Sequence, residues 1–316
     1  MWGHILDRAG ILTPETRRAY TAQRRAVRRF APAEYAAARL LLPARLQPDA
    51  VVLVSFMHET DDRIDRGPRA DREEALRQWR HLVEEALDGG RPALPVLRTL
   101  AHAVARHPAL RDRVKAFLDG AELEVSWDRF ASETDLERYI EGYSLPALML
   151  SMSLLSPATE PASTRFEDGC LALISAMQRL DFLEDIAEDA EEGRVGVPTS
   201  ALDRYGLVIR NGRLSEPRPG AFKALVTDQT DRAARSLTAA RHLVDLAAHP
   251  DRPFLRAFLR VQHLRLTAVR KAGPTLMTHP CGPSRLHSCA VLLQESTRRR
   301  RETPPATLSS VGTPPS

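Results

Sequence analysis

The spacing of apolar residues constrains the fold of this chain more than any other feature. Along almost all of the 316 residues, apolar side chains recur at intervals of three and four, which places them on one face of an α-helix. Runs of β-branched residues are short, and Ala, Leu and Arg are abundant, so helix is favoured over strand. The chain is therefore predicted to be all-α. We expect helices near residues 14–29, 33–42, 48–65, 71–88, 93–106, 110–131, 135–155, 165–191, 199–205, 221–247, 252–271 and 285–297.

Length and composition favour one large domain. Hydrophobic residues make up 43% of the chain, enough to bury a substantial core, and we expect residues 1–297 to form that domain. Residues 298–316 carry almost no large apolar side chain and are predicted to be a disordered, basic, Pro-rich tail. No segment is apolar enough to span a bilayer, and three cysteines are too few for a disulfide framework. A soluble, cytoplasmic protein is expected.

The charge distribution argues against nucleic-acid binding. Charged residues form 27% of the chain and are well mixed, with a net charge of +4, so there is no global basic surface. The basic excess is local and ends in the run Arg298 to Arg301. We interpret this run as a solvated tail, with a contact to a phosphate or a membrane surface as the alternative.

A first acidic cluster ends the helix predicted over residues 48–65. An apolar run, VVLVSFM, continues directly into HETDDRID, where Asp61 and Asp65 are four residues apart and share one helical face. Like charges at this spacing destabilise a helix by roughly 0.2–0.5 kcal/mol, so a bound cation would relieve them. The alternative is a solvated helix end neutralised by Arg63 and Arg66.

A second acidic cluster lies about 120 residues further along. Asp181, Asp185 and Asp189 follow one another at intervals of four, and Glu184 and Glu188 form a second row beside them. No basic residue interrupts the stretch from 181 to 192, so neutralising charge has to come from outside the helix. A surface helix paired with distant arginines is the alternative interpretation.

Two such helices together indicate a divalent-metal site for a diphosphate. Mg²⁺ usually takes one or two carboxylates and completes its shell with substrate phosphates. If the clusters faced each other above an apolar cavity, the metal would stabilise a departing pyrophosphate, and the allylic carbocation left behind would need dry surroundings. The spacing of the candidate cavity residues is equally typical of an ordinary core. These candidates are Phe56, Met57, Leu145, Leu148, Met149, Met152, Met177 and Phe182.

Three sequence blocks resemble the squalene and phytoene synthase family over roughly residues 20–270. They are RRFAPAEYAAARLLLPARLQPDA with FMHETDDRID, then YIEGYSLP, then QRLDFLEDIAEDAEEGRVGVP with LDRYG. The resemblance implies an all-α, single-domain bundle of the class I isoprenoid synthase type, with Mg²⁺ as cofactor and a prenyl diphosphate as substrate. Residues 1–297 would then be the catalytic domain.

The resemblance also implies roles for individual residues. The metal ligands, which are also catalytic, would be Asp61, Asp65, Asp185 and Asp189. Further catalytic candidates, as bases or orienting groups, are His58, Tyr143 and Glu184. The substrate-binding candidates are Asp62, Tyr139, Gln178, Asp181 and Arg194.

The departures from the family pattern shape the functional hypothesis. Members that join two prenyl diphosphates head to head carry arginines where this chain has His58 and Glu184, and an Asn where it has Asp181. Arginine binds phosphate oxygens through a bidentate fork that His mimics poorly and that Glu opposes. The preferred hypothesis is therefore transfer of one C10–C20 prenyl group to an aromatic, indole-like acceptor.

Three alternatives remain open. The first is head-to-head condensation, with the missing arginines replaced by Arg63, Arg179 or Arg194. The second is cyclisation of a single prenyl diphosphate, and the third is a non-catalytic helical scaffold. The sequence does not specify the prenyl chain length, the acceptor, the product or the oligomeric state.

Overall fold

The structure, a computed structural model, describes residues 2–302 and confirms an all-α fold. Its α-helices are α1 (Trp2–Arg8), α2 (Pro14–Phe30), α3 (Pro32–Leu41), α4 (Gln47–Ile64), α5 (Arg69–Leu87), α6 (Pro95–Arg106), α7 (Leu110–Ser126), α8 (Glu133–Tyr139), α9 (Leu145–Met152), α10 (Ala162–Glu184), α11 (Ile186–Glu192), α12 (Thr199–Arg204), α13 (Ala221–Ala239), α14 (Leu243–Leu246), α15 (Arg252–Ala272) and α16 (Arg285–Glu302). A π-helical turn, Ile140–Ser144, joins α8 to α9, and 3₁₀ turns cover Ala240–His242 and Gly273–Met277.

One small antiparallel hairpin interrupts the helices and was not predicted. Its strands are β1 (Val208–Arg210) and β2 (Arg213–Ser215). They are joined by Asn211 and Gly212, whose φ angles of 51° and 70° suit the tight two-residue turn that such hairpins prefer. The Asn-Gly pair is a hairpin signal in the sequence, but the strands beside it are too short to show alternation.

Most of the helices pack into two large hydrophobic cores. Phe56 of α4, Trp79 of α5 and Phe117 of α7 belong to the N-terminal core, whereas α10 packs against α13 and α15 in the C-terminal core. The segment from α8 to α9 lies between them, and the half-buried Tyr143 contacts both cores. The central segment therefore fixes the two halves, each with one acidic helix, relative to each other.

The basic run Arg298 to Arg301 is helical, which corrects the prediction of a tail beginning at residue 298. It forms the last turns of α16, where Glu302 accepts hydrogen bonds from Arg298 and Arg256 at 2.7 and 3.3 Å. Arg299 donates to the carbonyl oxygens of residues 40 and 42, each at 3.1 Å. The hydrogen bonds of Arg256 and Arg299 join residues that are far apart in the sequence, so amino-acid composition could not predict them. The remainder of the predicted tail, 303–316, lies outside the described residues.

Across residues 2–302, no helix is both long enough and apolar enough to cross a membrane. The three cysteines in this part of the chain are free thiols. Cys170 is buried, as expected, and burial raises the pKa of its thiol to about 12.

Candidate active site

The first carboxylate pair lies at the C-terminal end of α4. The backbone N–H of Asp65 donates to the carbonyl oxygen of Asp61 at 2.9 Å, so the last helical turn holds both side chains on one face. Desolvation raises the pKa of Asp61 to about 7, and the charge of Asp65 adds to the shift. Desolvation raises the pKa of Asp65 as well. Two carboxyls with raised pKa values form a site that favours a positive ion.

The second pair spans a break between α10 and α11. Asp185 is the residue between the two helices, with φ −101° and ψ 4°. The backbone N–H of Asp189 still donates to the carbonyl oxygen of Asp185 at 2.9 Å, so the spacing of four survives the break. Desolvation raises the pKa of Asp189 to about 7, with further contributions from Asp185 and Asp181. The pKa of Asp185 is raised by desolvation and by Asp181.

Arg194 brings the two pairs to one site. Gly193 ends α11 with a positive φ of 77°, and the backbone N–H of Arg194 donates to the carbonyl oxygen of Asp189 at 2.9 Å. The positive charge of Arg194 lowers the pKa of Asp189 in the second pair and also that of Asp65 in the first. The two carboxylate pairs therefore lie within electrostatic reach of the same guanidinium.

Glu124 of α7 holds Arg194 in place and is a site residue that the sequence did not reveal. Arg194 donates to Glu124 at 3.1 Å, and its guanidinium carbon lies 4.5 Å from the ring centroid of Trp127. The hydroxyl of Tyr139 donates to the same carboxylate, and Glu124 raises the pKa of Asp61. An acid on an amphipathic helix carries no signal that separates it from surface acids, so only the tertiary fold identifies it.

The π-helical turn positions Tyr143. Pro146 lacks a backbone N–H, so an ordinary α-helix cannot run through it without losing a hydrogen bond. Gly120 of α7 packs tightly on this turn, since a Cβ there would lie 2.2 Å from the carbonyl oxygen of Gly142. The ring of Tyr143 stacks on Phe117 with centroids 6.1 Å apart, and its hydroxyl donates to Asp61 at 3.3 Å. Tyr143 therefore contacts the first carboxylate pair directly.

Arg265 of α15 supplies the external charge that the second acidic cluster requires. Its guanidinium donates to Glu184 at 3.2 Å and to Asp181 at 3.0 Å. Glu184 is only 6% exposed; burial raises its pKa, and Arg265 opposes that shift. Both carboxylate oxygens of Glu184 accept hydrogen bonds from Arg265, so this arrangement favours a positioning role for Glu184. Arg265 lies some 80 residues from its partners, and the sequence analysis did not single it out.

His58 packs on the end of α2. Its ring stacks on Phe30 with centroids 3.7 Å apart, and its Nε2 atom lies 3.5 Å from the exposed Asp62. His58 therefore lies between the end of α2 and the first acidic cluster.

The remaining predicted residues take different positions. Ser144 of the π turn donates to Gln178 at 2.9 Å, which places Gln178 at the central helix. Arg179 is bound to Glu133 at 2.7 Å, and Arg63 to Glu59 at 2.7 Å. Arg194, the third arginine proposed as a replacement for the missing family residues, follows the second pair directly and binds Glu124.

The donor set fits a divalent cation that is completed by substrate. Within residues 2–302 no three His, Cys, Asp or Glu side chains converge on a ready-made metal cage. The site offers carboxylates in pairs instead, with raised pKa values. This matches a cation that takes one or two carboxylates and fills its shell with phosphate oxygens.

The candidate cavity residues lie in or against the cores. Two cavities of about 490 and 410 Å³ lie elsewhere, along α13, and no acidic-cluster residue lines them. The role of the candidate residues as a cavity lining stays a prediction. The buried members are Phe56, Met149, Met152 and Phe182, and the partly buried members are Met57, Leu145, Leu148 and Met177.

Without metal and substrate, the carboxylate pairs make stability depend on pH. The folded-state pKa of Asp61 and of Asp189, about 7, exceeds the usual 3.8, so the folded state binds more protons than the unfolded state between these values. The free energy of unfolding therefore falls as pH rises from about 4 to 7. We expect Asp61→Asn to flatten this dependence and to raise the Tm at pH 8 by a few degrees, at roughly 2–4 °C per kcal/mol.

Thermal denaturation in EDTA, followed by circular dichroism from pH 5 to pH 8, measures this effect. Asp168→Asn is the matched control, because Asp168 is an exposed acid on α10 outside both pairs, and it should leave the curve unchanged. A lower Tm for Asp61→Asn at pH 8 would show that the pair does not carry the repulsion.

Comparison with known proteins identifies the class of this protein. Residues 29–288 match the family model described as squalene/phytoene synthase. The chain therefore belongs to the squalene/phytoene synthase family. The fold type is one that generally uses a divalent metal.

Individual relatives agree with this assignment. The chain is 32% identical over 221 residues to the bifunctional protein CrtB/UppS of Streptomyces coelicolor, covering 70% of this chain and 38% of that one. It is 28% identical over 208 residues to chloroplastic phytoene synthase 3 of Zea mays, covering 63% and 48%. The match thus spans less than half the length of these two relatives.

A solved structure confirms the fold. A dehydrosqualene synthase in complex with a ligand superposes with a TM-score of 0.76 at 20% identity, covering 91% of this chain and 98% of that one. The family match and the curated relatives do not support the preferred hypothesis of an aromatic acceptor, which rested on the departures from the family pattern at His58, Asp181 and Glu184. They favour the alternative of head-to-head condensation.

Proposed function

We propose that this protein joins two allylic prenyl diphosphates head to head, in a reaction that depends on Mg²⁺. The observation that carries the proposal is the position of Arg194, whose backbone N–H donates to the carbonyl oxygen of Asp189 at 2.9 Å and whose guanidinium donates to Glu124 of α7 at 3.1 Å. The charge of Glu124 raises the pKa of both Asp61 and Asp65, so Glu124 lies near the first pair. A diphosphate bound beside Arg194 would therefore lie between the two pairs. Membership of the squalene/phytoene synthase family supports the same reaction.

Ionisation is assigned to the two carboxylate pairs. Asp61 and Asp65 on one side and Asp185 and Asp189 on the other would hold the divalent metal. When bound, the metal would neutralise charge that develops on the departing diphosphate. Arg194 would donate hydrogen bonds to the same diphosphate. Glu124 accepts a hydrogen bond from Arg194 at 3.1 Å and so fixes the orientation of the guanidinium.

Arg265 is proposed to prepare the second acidic cluster for a diphosphate. The sequence has Glu184 where family members that join two diphosphates have arginine, and Arg265 binds Glu184 and Asp181. This pairing neutralises part of the negative charge of the cluster and lowers the repulsion that a diphosphate would meet there.

The central helix is proposed to orient the first pair and to limit water near the cation. Tyr143 contacts both hydrophobic cores and donates to Asp61 at 3.3 Å, so it holds that carboxylate without adding a strong nucleophile. Desolvation raises the pKa of the Tyr143 hydroxyl well above its usual value. The hydroxyl therefore stays protonated, which suits a site where a carbocation must survive.

The products formed from prenyl diphosphates alone test this proposal. With Mg²⁺ and no other acceptor, we expect a C30 hydrocarbon from farnesyl diphosphate or a C40 hydrocarbon from geranylgeranyl diphosphate, with two diphosphates released per hydrocarbon. Gas chromatography with mass spectrometry and a diphosphate assay measure both quantities. Release of diphosphate only when an indole is added, with a prenylated indole as product, would overturn head-to-head condensation. A cyclic terpene from one substrate would overturn it as well.

A further inference from the structure

Helix α16 lies largely beyond the part of the chain that matches the family. The match ends at residue 288, whereas α16 covers Arg285–Glu302. The helix packs on α3 and α15, remote in sequence from both acidic clusters. The role of α16 therefore has to be inferred from the contacts of this chain, and not from the family match.

The inward side of α16 is firmly attached. Glu295 is 4% exposed and accepts hydrogen bonds from Arg256 and Arg260 of α15 at 2.9 and 3.0 Å. Val291 packs with Leu41 of α3 in a small separate core. Because one side is fixed in this way, the opposite side keeps a constant orientation toward solvent.

The outward side of α16 combines exposed leucines with arginines. Leu286 is 83% exposed and Leu293 is 61% exposed, and Arg300 follows at the same interval of seven, so the three lie along one side of the helix. Arg301 is exposed beside Arg300, whereas Arg298 lies about 160° away around the helix, on the side of Val291, and is paired with Glu302. We call Leu286, Leu293, Arg300 and Arg301 the α16 outer face.

We propose that the α16 outer face binds the interface of an anionic lipid bilayer. Interfacial helices insert apolar side chains at the headgroup boundary while basic side chains bind anionic headgroups, and the outer face has both features on a fixed side. A second copy of the chain fits it less well. Two leucines offer roughly a few hundred Å² of apolar surface, whereas specific dimers bury about 800 Å² per partner.

The proposed function explains why the protein would bind a bilayer, and for that explanation the inference rests on the proposed function. Prenyl diphosphates have long apolar tails, and a C30 or C40 hydrocarbon is insoluble in water. A bilayer can hold the prenyl diphosphate substrates by their tails and can take up the hydrocarbon product. Binding itself depends only on the outer face, so its test needs no substrate.

Co-sedimentation of the full chain with vesicles tests the proposal. The vesicles contain phosphatidylcholine alone or phosphatidylcholine with 30% phosphatidylglycerol. We expect binding to the anionic vesicles only, weakening as salt screens the charges. The double variant Arg300→Gln, Arg301→Gln should weaken binding by about 25-fold, given roughly fivefold for each basic residue near the surface. Leu286→Ser with Leu293→Ser should also reduce it, at least about tenfold.

Matched controls separate the outer face from general charge and apolarity. Arg69, Arg77 and Arg138 have side chains that are 55%, 66% and 72% exposed, and their combined change to Gln should leave vesicle binding unchanged. Leu12, 70% exposed, is the control for the leucines. Equal loss in the controls, or absence of binding to anionic vesicles, would overturn the proposal. So would a concentration-dependent dimer that Leu286→Ser and Leu293→Ser abolish. Condensing activity in solution without vesicle binding would refute the lipid surface while leaving the proposed function intact.

Discussion

Asp185→Asn is expected to lower kcat by about 10³-fold, since removing one group that stabilises developing negative charge typically costs 10²–10³ and this carboxylate is also a proposed metal ligand. The fold should survive, because Asp185 lies between α10 and α11 among other acids that raise its pKa, and losing one charge relieves repulsion. Steady-state release of diphosphate with prenyl diphosphate and Mg²⁺ measures the loss.

Asp168→Asn supplies the control for that experiment. Asp168 is an exposed acid on α10, the helix that leads into the second pair, so the same chemical change there should leave kcat within about twofold. If Asp185→Asn kept kcat within threefold of the unchanged protein while folded, the second pair would not be the ionisation site.

Arg265→Met is expected to destabilise the protein by about 3–5 kcal/mol, the usual cost of leaving one partner of a buried ion pair alone. Glu184 is 6% exposed and receives hydrogen bonds from Arg265, so its charge would be stranded. Urea denaturation measures the free energy of unfolding. Arg270→Met on the same helix is the control, because its pair with Asp231 is at the surface and is worth at most about 1 kcal/mol.

A double variant separates the structural role of Arg265 from its proposed catalytic role. Arg265→Met combined with Glu184→Gln should regain most of the lost stability, because the stranded charge is gone. Turnover should remain reduced by at least about tenfold, since hydrogen bonds to charged groups are worth roughly 1.5–3 kcal/mol. A double variant with full activity would restrict Arg265 to a structural role, and a single variant of unchanged stability would refute the buried pair.

Local patterns in the sequence were sufficient for the helices and for the carboxylate pairs. The spacing of four between Asp61 and Asp65 is a property of one helix, so the sequence states it directly. The same holds for Asp185 and Asp189, although the helix breaks between them. The hairpin at Asn211 and Gly212 also had a local signal that the analysis did not use.

The partners of these carboxylates could not be predicted in the same way. Glu124 and Arg265 reach the site through helix packing, across about 60 to 80 residues of chain. The prediction that the second cluster requires external charge was correct in kind, but the sequence did not identify Arg265. The absence of the family arginines at His58 and Glu184 favoured the hypothesis of an aromatic acceptor, but the sequence does not show which distant residues contact these positions. In the fold, Arg265 of α15 binds Glu184, and Phe30 of α2 stacks on His58.

A crystal structure with Mn²⁺ and a prenyl thiodiphosphate, an analogue that ionises slowly, tests the central claim most directly. The claim is that Asp61 and Asp65 share one diphosphate with Asp185 and Asp189. The account predicts anomalous metal peaks beside both carboxylate pairs, bridged by the same diphosphate, with Arg194 in hydrogen-bonding contact with it. Metal on one pair alone, or a diphosphate bound away from both pairs, would contradict the account.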